Sequence, residues 1–217
     1  MSASDSSGAR PAAARRGRRG GRPTLEEAAE LDRAVRDCAL RLFLEHGYEG
    51  TSMDAIARAA GTTKASLYTR FGGKEELFRA VLGQAVTDAV RADPEPLDPD
   101  DLEGALTAIA RAALRHALDP VMVRLARIAA TQAGRFPEPP RQVFLPRRRL
   151  LVELLERHAA TGAITADEPE ILAEHFFAMV SGMPARLASF GHLRDPATQE
   201  HHMEVAVRLF LRGLRPD

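Results

Sequence analysis

The chain has one cysteine in 217 residues, so no intrachain disulfide framework can staple it. A reducing cytoplasm is therefore the expected compartment. It also lacks any apolar run approaching the roughly 18 residues that span a bilayer, so no membrane partner is expected. Arginines crowd the N-terminus, but no apolar stretch follows them, which argues against a secretory signal. Charge of one sign is missing too, since 30 Lys and Arg balance 30 Asp and Glu. Few segments alternate with the two-residue period of a strand, and no internal repeat is present. What is there is a 45% hydrophobic composition, ample for a core, with apolar residues recurring at helical spacing. The expected fold is all-α.

Zero net charge hides an uneven distribution. Residues 1–23 are rich in Ser, Ala, Gly and Arg, have no periodicity and are expected to be disordered. Arg10, Arg15, Arg16, Arg18, Arg19 and Arg22 face the single acid Asp5, concentrating a charge of +5 on this arm. A first helix is expected from Leu25 to His46, with Leu31, Val35, Cys38 and Leu42 as its buried stripe. Gly47 ends it, and Tyr48 is expected to pack between it and the short helices that follow. The proline-dense stretch 92–101, ADPEPLDPDD, forbids a continuing helix and marks a boundary. The organisation is thus an arm (1–23), an N-terminal domain (24–91) and a C-terminal domain (92–217). In the last, helices are expected at about 99–117, 120–134, 140–161, 167–190 and 196–213. Pro146 belongs in or near a first turn, or kinks its helix.

Residues 51–77, TSMDAIARAAGTTKASLYTRFGGKEEL, carry the most information. Thr51 and Asp54 have capping-box spacing at a helix start, and Met53, Ile56, Ala57 and Ala60 form an apolar face behind it. Gly61 can end that helix in the left-handed conformation. Thr63 caps a second helix, Lys64 to Phe71, which turns Leu67 and Phe71 inward. Lys64, Ala65, Ser66, Tyr68 and Thr69 then point elsewhere. Small, hydroxylic and basic groups suit a helix that enters a DNA major groove. The layout is a helix-turn-helix with its second helix as the reader. Beside it, RRGRRGGRP resembles a minor-groove arm, which makes Arg18, Arg19 and Arg22 candidate DNA contacts.

Residues 31–82 contain, in order, LFLEHGYEGTSM, IARAAG, a helix with LY followed by F, and KEEL. This series resembles the DNA-binding domain of the TetR/AcrR transcriptional regulators. Residues 124–190 are similar to the C-terminal domain of the AefR-like branch. The first resemblance implies that Thr51 or Ser52 donates to phosphate and that Thr63 opens the reader. It implies that Lys64, Ala65 and Ser66 approach bases, that Tyr68 and Thr69 hold phosphate or sugar, and that Lys74 adds a phosphate contact. Three departures stand out. Thr69 replaces a frequent histidine, Arg70 an aromatic, and Gly72-Gly73 a Pro-Ser type turn. Arg70 is either a further phosphate contact or half of a salt bridge.

The resemblance also implies a homodimer held by a four-helix bundle, a palindromic double-stranded operator and a small-molecule effector. Phe176, Val180, Leu187, Met203, Val207, Phe210 and Leu214 are the expected dimer seam. Their alternative is the core of one chain. Met122, Phe136, Phe144, His175, Phe176, Phe177, Met179, Met183 and Phe190 are the expected effector lining, and they suit an apolar or aromatic molecule. No metal or cofactor is expected. Adjacent histidines such as His201 and His202 diverge by about 100° on a helix and cannot chelate as i, i+4 pairs. Cys38 lies on a buried stripe, so no thiol nucleophile and no enzyme activity are expected. The resulting expectation is a repressor released by its ligand, with an activator or a ligand-independent regulator of the same fold as the alternative.

Overall fold

Helix signals along this chain are local and strong, and the computed structural model, which describes residues 24–91, 97–132 and 145–215, forms its helices where those signals lie. Among the described residues every regular element is helical. The arm arginines, Phe136 and Phe144 fall outside these residues. Four helices come first: α1 (Leu25–Gly50), α2 (Met53–Ala59), α3 (Lys64–Phe71) and α4 (Lys74–Arg91). Thr24 opens α1 through a reciprocal capping box with Glu27. Gly47, at φ 71 and ψ 179, breaks the helical path where the helix was expected to end, and a short helical stretch follows it to Gly50.

The remainder comprises α5 (Leu102–Leu118), α6 (Pro120–Thr131), α7 (Leu145–Ala160), α8 (Pro169–Phe177), α9 (Met183–Ser189) and α10 (Pro196–Gly213). Asp101, Asp119 and Asp195 each accept from amides of the turn they precede. Thr198, through its hydroxyl and then its amide, holds the Asp195 carboxyl below the ordinary carboxylate range. The expected helix 167–190 is one rod with a π turn at Ala178–Gly182 between α8 and α9. Pro184 explains it. Its ring would collide with the carbonyl of the preceding turn and it has no amide to donate, so the ladder widens there. Pro146 falls in the first turn of α7, where a missing amide has no cost.

Two hydrophobic cores form. In the first, Val35, Ala39 and Phe43 of α1 meet Ile56, Leu67, Leu77, Phe78 and Val81, and Leu125 from α6 completes the cluster. Tyr48 stacks on Phe43 and meets Phe78 edge-on, tying α1 to α4 within the core that the short helices share. In the second core, α5, α7, α8 and α10 bring together Leu106, Leu151, Leu155, Phe176, Met203 and Phe210. This corrects the expected dimer seam. Phe176, Val180, Met203, Val207, Phe210 and Leu214 are all buried inside one chain. Only Leu187 of that set is partly exposed. The rod of α8, its π turn and α9 packs its share of these residues against α5, α7 and α10 of the same chain.

His116, near the end of α5, has both ring nitrogens buried with no hydrogen-bond partner. Burial, and then the charge of Arg147, hold its pKa below the ordinary value, which keeps the ring neutral near pH 7. An unfolded histidine takes up a proton below about pH 6.5, so acidification favours the unfolded chain. The stabilising effect of a neutral His116 is therefore present above that value and lost as pH falls below it. His116→Leu is expected to shrink the drop in melting temperature between pH 7 and pH 5. Parallel pH profiles for the two proteins would contradict this.

Candidate nucleic-acid interface

The α2–α3 corner is built by short-range contacts. Ser52 caps α2, its Oγ accepting from the Ala55 amide at 3.1 Å. Thr51, expected as cap and phosphate donor, is instead 2% exposed. Its hydroxyl donates to the carbonyls of Gly47 (2.7 Å) and Leu42 (3.0 Å), closing the kink in α1. Thr51 is thus a structural pin, and Ser52 is the hydroxyl left at the surface. Gly61 takes φ +63, and the Thr62 amide reaches back to the Ala57 carbonyl, the bond that ends a helix with a left-handed residue. Thr63 then caps α3 by accepting from the Ser66 amide at 3.1 Å.

Leu67 is fully buried beneath α3, with Phe71 packed partly against the same core. The opposite face presents Lys64, Ala65, Tyr68 and Thr69 to solvent, with Ser66 half-buried. Thr69 donates its hydroxyl to the Ala65 carbonyl at 3.0 Å, so it must rotate before it can donate to a phosphate. Arg70 is decided by geometry. Its guanidinium donates to Asp32 Oδ1 at 2.5 Å and to the Ala28 carbonyl at 3.2 Å, both on α1. That makes Arg70 a bolt between α3 and α1, the salt-bridge alternative of the two. Gly72, at φ +78, ends α3 with its amide on the Tyr68 carbonyl, so the glycine pair fixes the turn into α4. Lys74 lies over the Tyr48 ring, 4.3 Å from its centroid, at the mouth of α4.

One ion pair on this face was not anticipated. Lys64 Nζ is 2.8 Å from Asp54 Oδ2, so the first residue of α3 is joined to the first turn of α2. The hydrogen bond to Asp54, and then its charge, hold the Lys64 ammonium above its ordinary pKa. Sequence spacing had given Asp54 to a helix cap. The fold brings the Asp54 carboxylate across the turn to Lys64, ten residues along the chain. Arg70 and Asp32 are far apart in sequence and left no comparable signal.

Among the described residues, the expected effector positions are divided between the two cores and the surface. Phe176 is core, Phe177 and Met179 pack partly against it, and Met122 belongs with the N-terminal core. His175, Met183 and Phe190 are exposed, the last at 72%. A cleft of about 230 Å³ lies among Leu97, Pro99, Leu150, Glu153, Leu154 and Arg157, and no expected effector residue lines it. Among the described residues, no helix is long and apolar enough to cross a membrane.

Two family models match the chain. Residues 35–81 match bacterial regulatory proteins of the tetR family, and residues 104–214 match the C-terminal domain of AefR-like transcriptional repressors. The second match is wider than the stretch 124–190 picked out by sequence resemblance. The flavonoid-responsive regulator FrrA is similar at 32% identity, covering 87% of this chain and 98% of its own, with a TM-score of 0.72. A TetR regulator from Agrobacterium tumefaciens is similar at 25% identity, covering 87% and 96%, with a TM-score of 0.65. The transcriptional repressor SCO4008 of Streptomyces coelicolor is 38% identical over 89 residues, which are 41% of this chain and 44% of that protein. Over that relative the chain therefore spans less than half the length. The repressor AcnR of Corynebacterium diphtheriae is 27% identical over 158 residues, 70% of this chain and 78% of its own. With a polar reader helix bolted onto a buried core and both family models matched in order, this chain belongs to the TetR family of bacterial regulatory proteins.

Proposed function

We propose that the chain is a non-enzymatic transcriptional repressor that binds a palindromic DNA operator as a homodimer. The observation that carries this reading is α3. Leu67 and the Arg70–Asp32 pair hold it rigidly, while Lys64, Ala65, Tyr68 and Thr69 are turned outward. Small and hydrogen-bonding groups on one face of a fixed helix suit base edges and phosphates in a major groove. Regulators named as repressors among the relatives support the sign of regulation.

The dimer face is the surface that α8 and α9 leave uncovered. Ile171, His175, Ala178, Gly182, Met183, Arg186 and Phe190 follow one another along the rod, and all are exposed. Ile171, Met183 and Phe190 supply its apolar area, and Gly182 permits close approach of a second helix. A second copy of this chain is the partner that would cover it.

The effector is a small apolar or aromatic molecule acting through the C-terminal helices, a reading that the flavonoid-responsive relative supports. The relay is α6. Leu125 enters the N-terminal core, Arg124 donates to the Leu44 carbonyl of α1, and Arg127 donates to the Ala188 carbonyl of α9 at 2.7 Å. Any shift of α9 is thereby transmitted to the helices that carry the reader.

The experiment is a binding titration with a duplex selected from a random pool by the wild-type protein. Lys64→Ala with Tyr68→Ala is expected to weaken binding by about 1–3 kcal/mol per subunit without moving the melting temperature. In cells, deleting the gene is expected to raise transcription from the bound promoter. Undiminished affinity, or lower transcription, would contradict the reading.

A further inference from the structure

We infer that Asp54 is a selectivity residue, which restrains Lys64 from indiscriminate phosphate contacts and so lowers binding to non-operator DNA. The inference rests on the DNA-binding reading above. Within α3 the cations are Lys64 and Arg70, and Arg70 is committed to Asp32 and the Ala28 carbonyl. Lys64 is therefore the charge this helix has to offer a phosphate. It is not presented alone, because Asp54 holds its ammonium at 2.8 Å, and the two side chains are 50% and 53% exposed.

Binding away from an operator is almost wholly electrostatic. A free lysine on a four-carbon stem can find a phosphate in nearly any register, since a point charge makes no geometric demand. With Asp54 present, every such contact requires an existing ion pair to open. At an operator the reader is seated by base contacts and by the backbone around it. Lys64 then meets one defined acceptor, and the same carboxylate keeps it near that position. Removing the carboxylate should therefore favour random DNA more than the operator. Exposed pairs of this kind have modest strength, so the gain on random DNA is about two- to five-fold per subunit.

The test compares wild type, Asp54→Asn, Asp54→Glu and Lys64→Ala, and the Asn change in the Lys64→Ala background. Each is titrated against a wild-type-selected duplex and a scrambled duplex of equal composition over a range of salt. Asp54→Asn is expected to bind the scrambled duplex two- to five-fold tighter per subunit, with a steeper salt dependence by about one unit per added phosphate contact. Operator affinity should change less, so the selectivity ratio falls. Asp54→Glu, which keeps the charge, should stay near wild type. In the Lys64→Ala background the Asn change should have no effect on either duplex. Unchanged scrambled affinity and slope would overturn the inference. So would equal tightening on both duplexes, or an Asn effect that survives loss of Lys64. Failure of wild type to prefer its selected duplex would instead sink the DNA-binding reading itself.

Discussion

Met183→Arg is expected to yield a folded monomer with little affinity for its operator. Met183 is half exposed on α9, outside both cores, so arginine there leaves the chain's own packing intact. On the proposed dimer face it puts a charge where two apolar rods meet. Losing a central interface residue typically costs about 2–4 kcal/mol of association, roughly a thirty- to thousand-fold rise in the dimer dissociation constant. Operator binding falls with it, because a single reader holds half of the contacts. Sedimentation and a binding titration check both parts. A dimer that survives would place the interface elsewhere. The residues first read as the seam offer a contrast, since Phe176, Met203 and Phe210 are buried in one chain and their truncation should unfold it.

Leu125→Ala should destabilise the N-terminal core even though Leu125 belongs to α6, outside the N-terminal helices. Leu125 is fully buried, and its partners are in the core of α1, α2, α3 and α4 rather than in that of its own neighbours. Truncating a buried leucine costs about 2–5 kcal/mol through lost transfer energy and the cavity left behind. The cavity would lie between the helices that carry the reader and the helix that links them to α9. Chemical denaturation should show the loss, with exposed Leu150→Ala as a control that changes stability by less than about 0.5 kcal/mol. A loss under about 1 kcal/mol for Leu125→Ala would show that α6 is not part of that core.

How far the chain could be read in advance depended on the range of each signal. Thr63, Leu67 and Gly61 act through neighbours three to five residues away, so spacing alone placed α2, the turn and α3. The helices expected from about 120 and 196 do open there, each at a proline that follows a capping aspartate. Thr51 misled because a hydroxyl before a helix can cap it or reach back, and the kink at Gly47 brought two carbonyls within its reach. Arg70 was undecidable because its partner on α1 is 38 residues away. The apolar stripes of α8 and α10 were found, but periodicity cannot say whether a buried face meets its own chain or a copy. Asp54 has capping-box spacing with Thr51, but the fold gives its carboxylate to Lys64 instead.

The most direct test of the whole account is selection of bound duplexes from a random pool by the purified chain, followed by sequencing. Two inverted half-sites are expected, their centres about 10 base pairs apart or a multiple of that, each protected by one subunit. Enrichment of a single asymmetric site, or no enrichment, would contradict it.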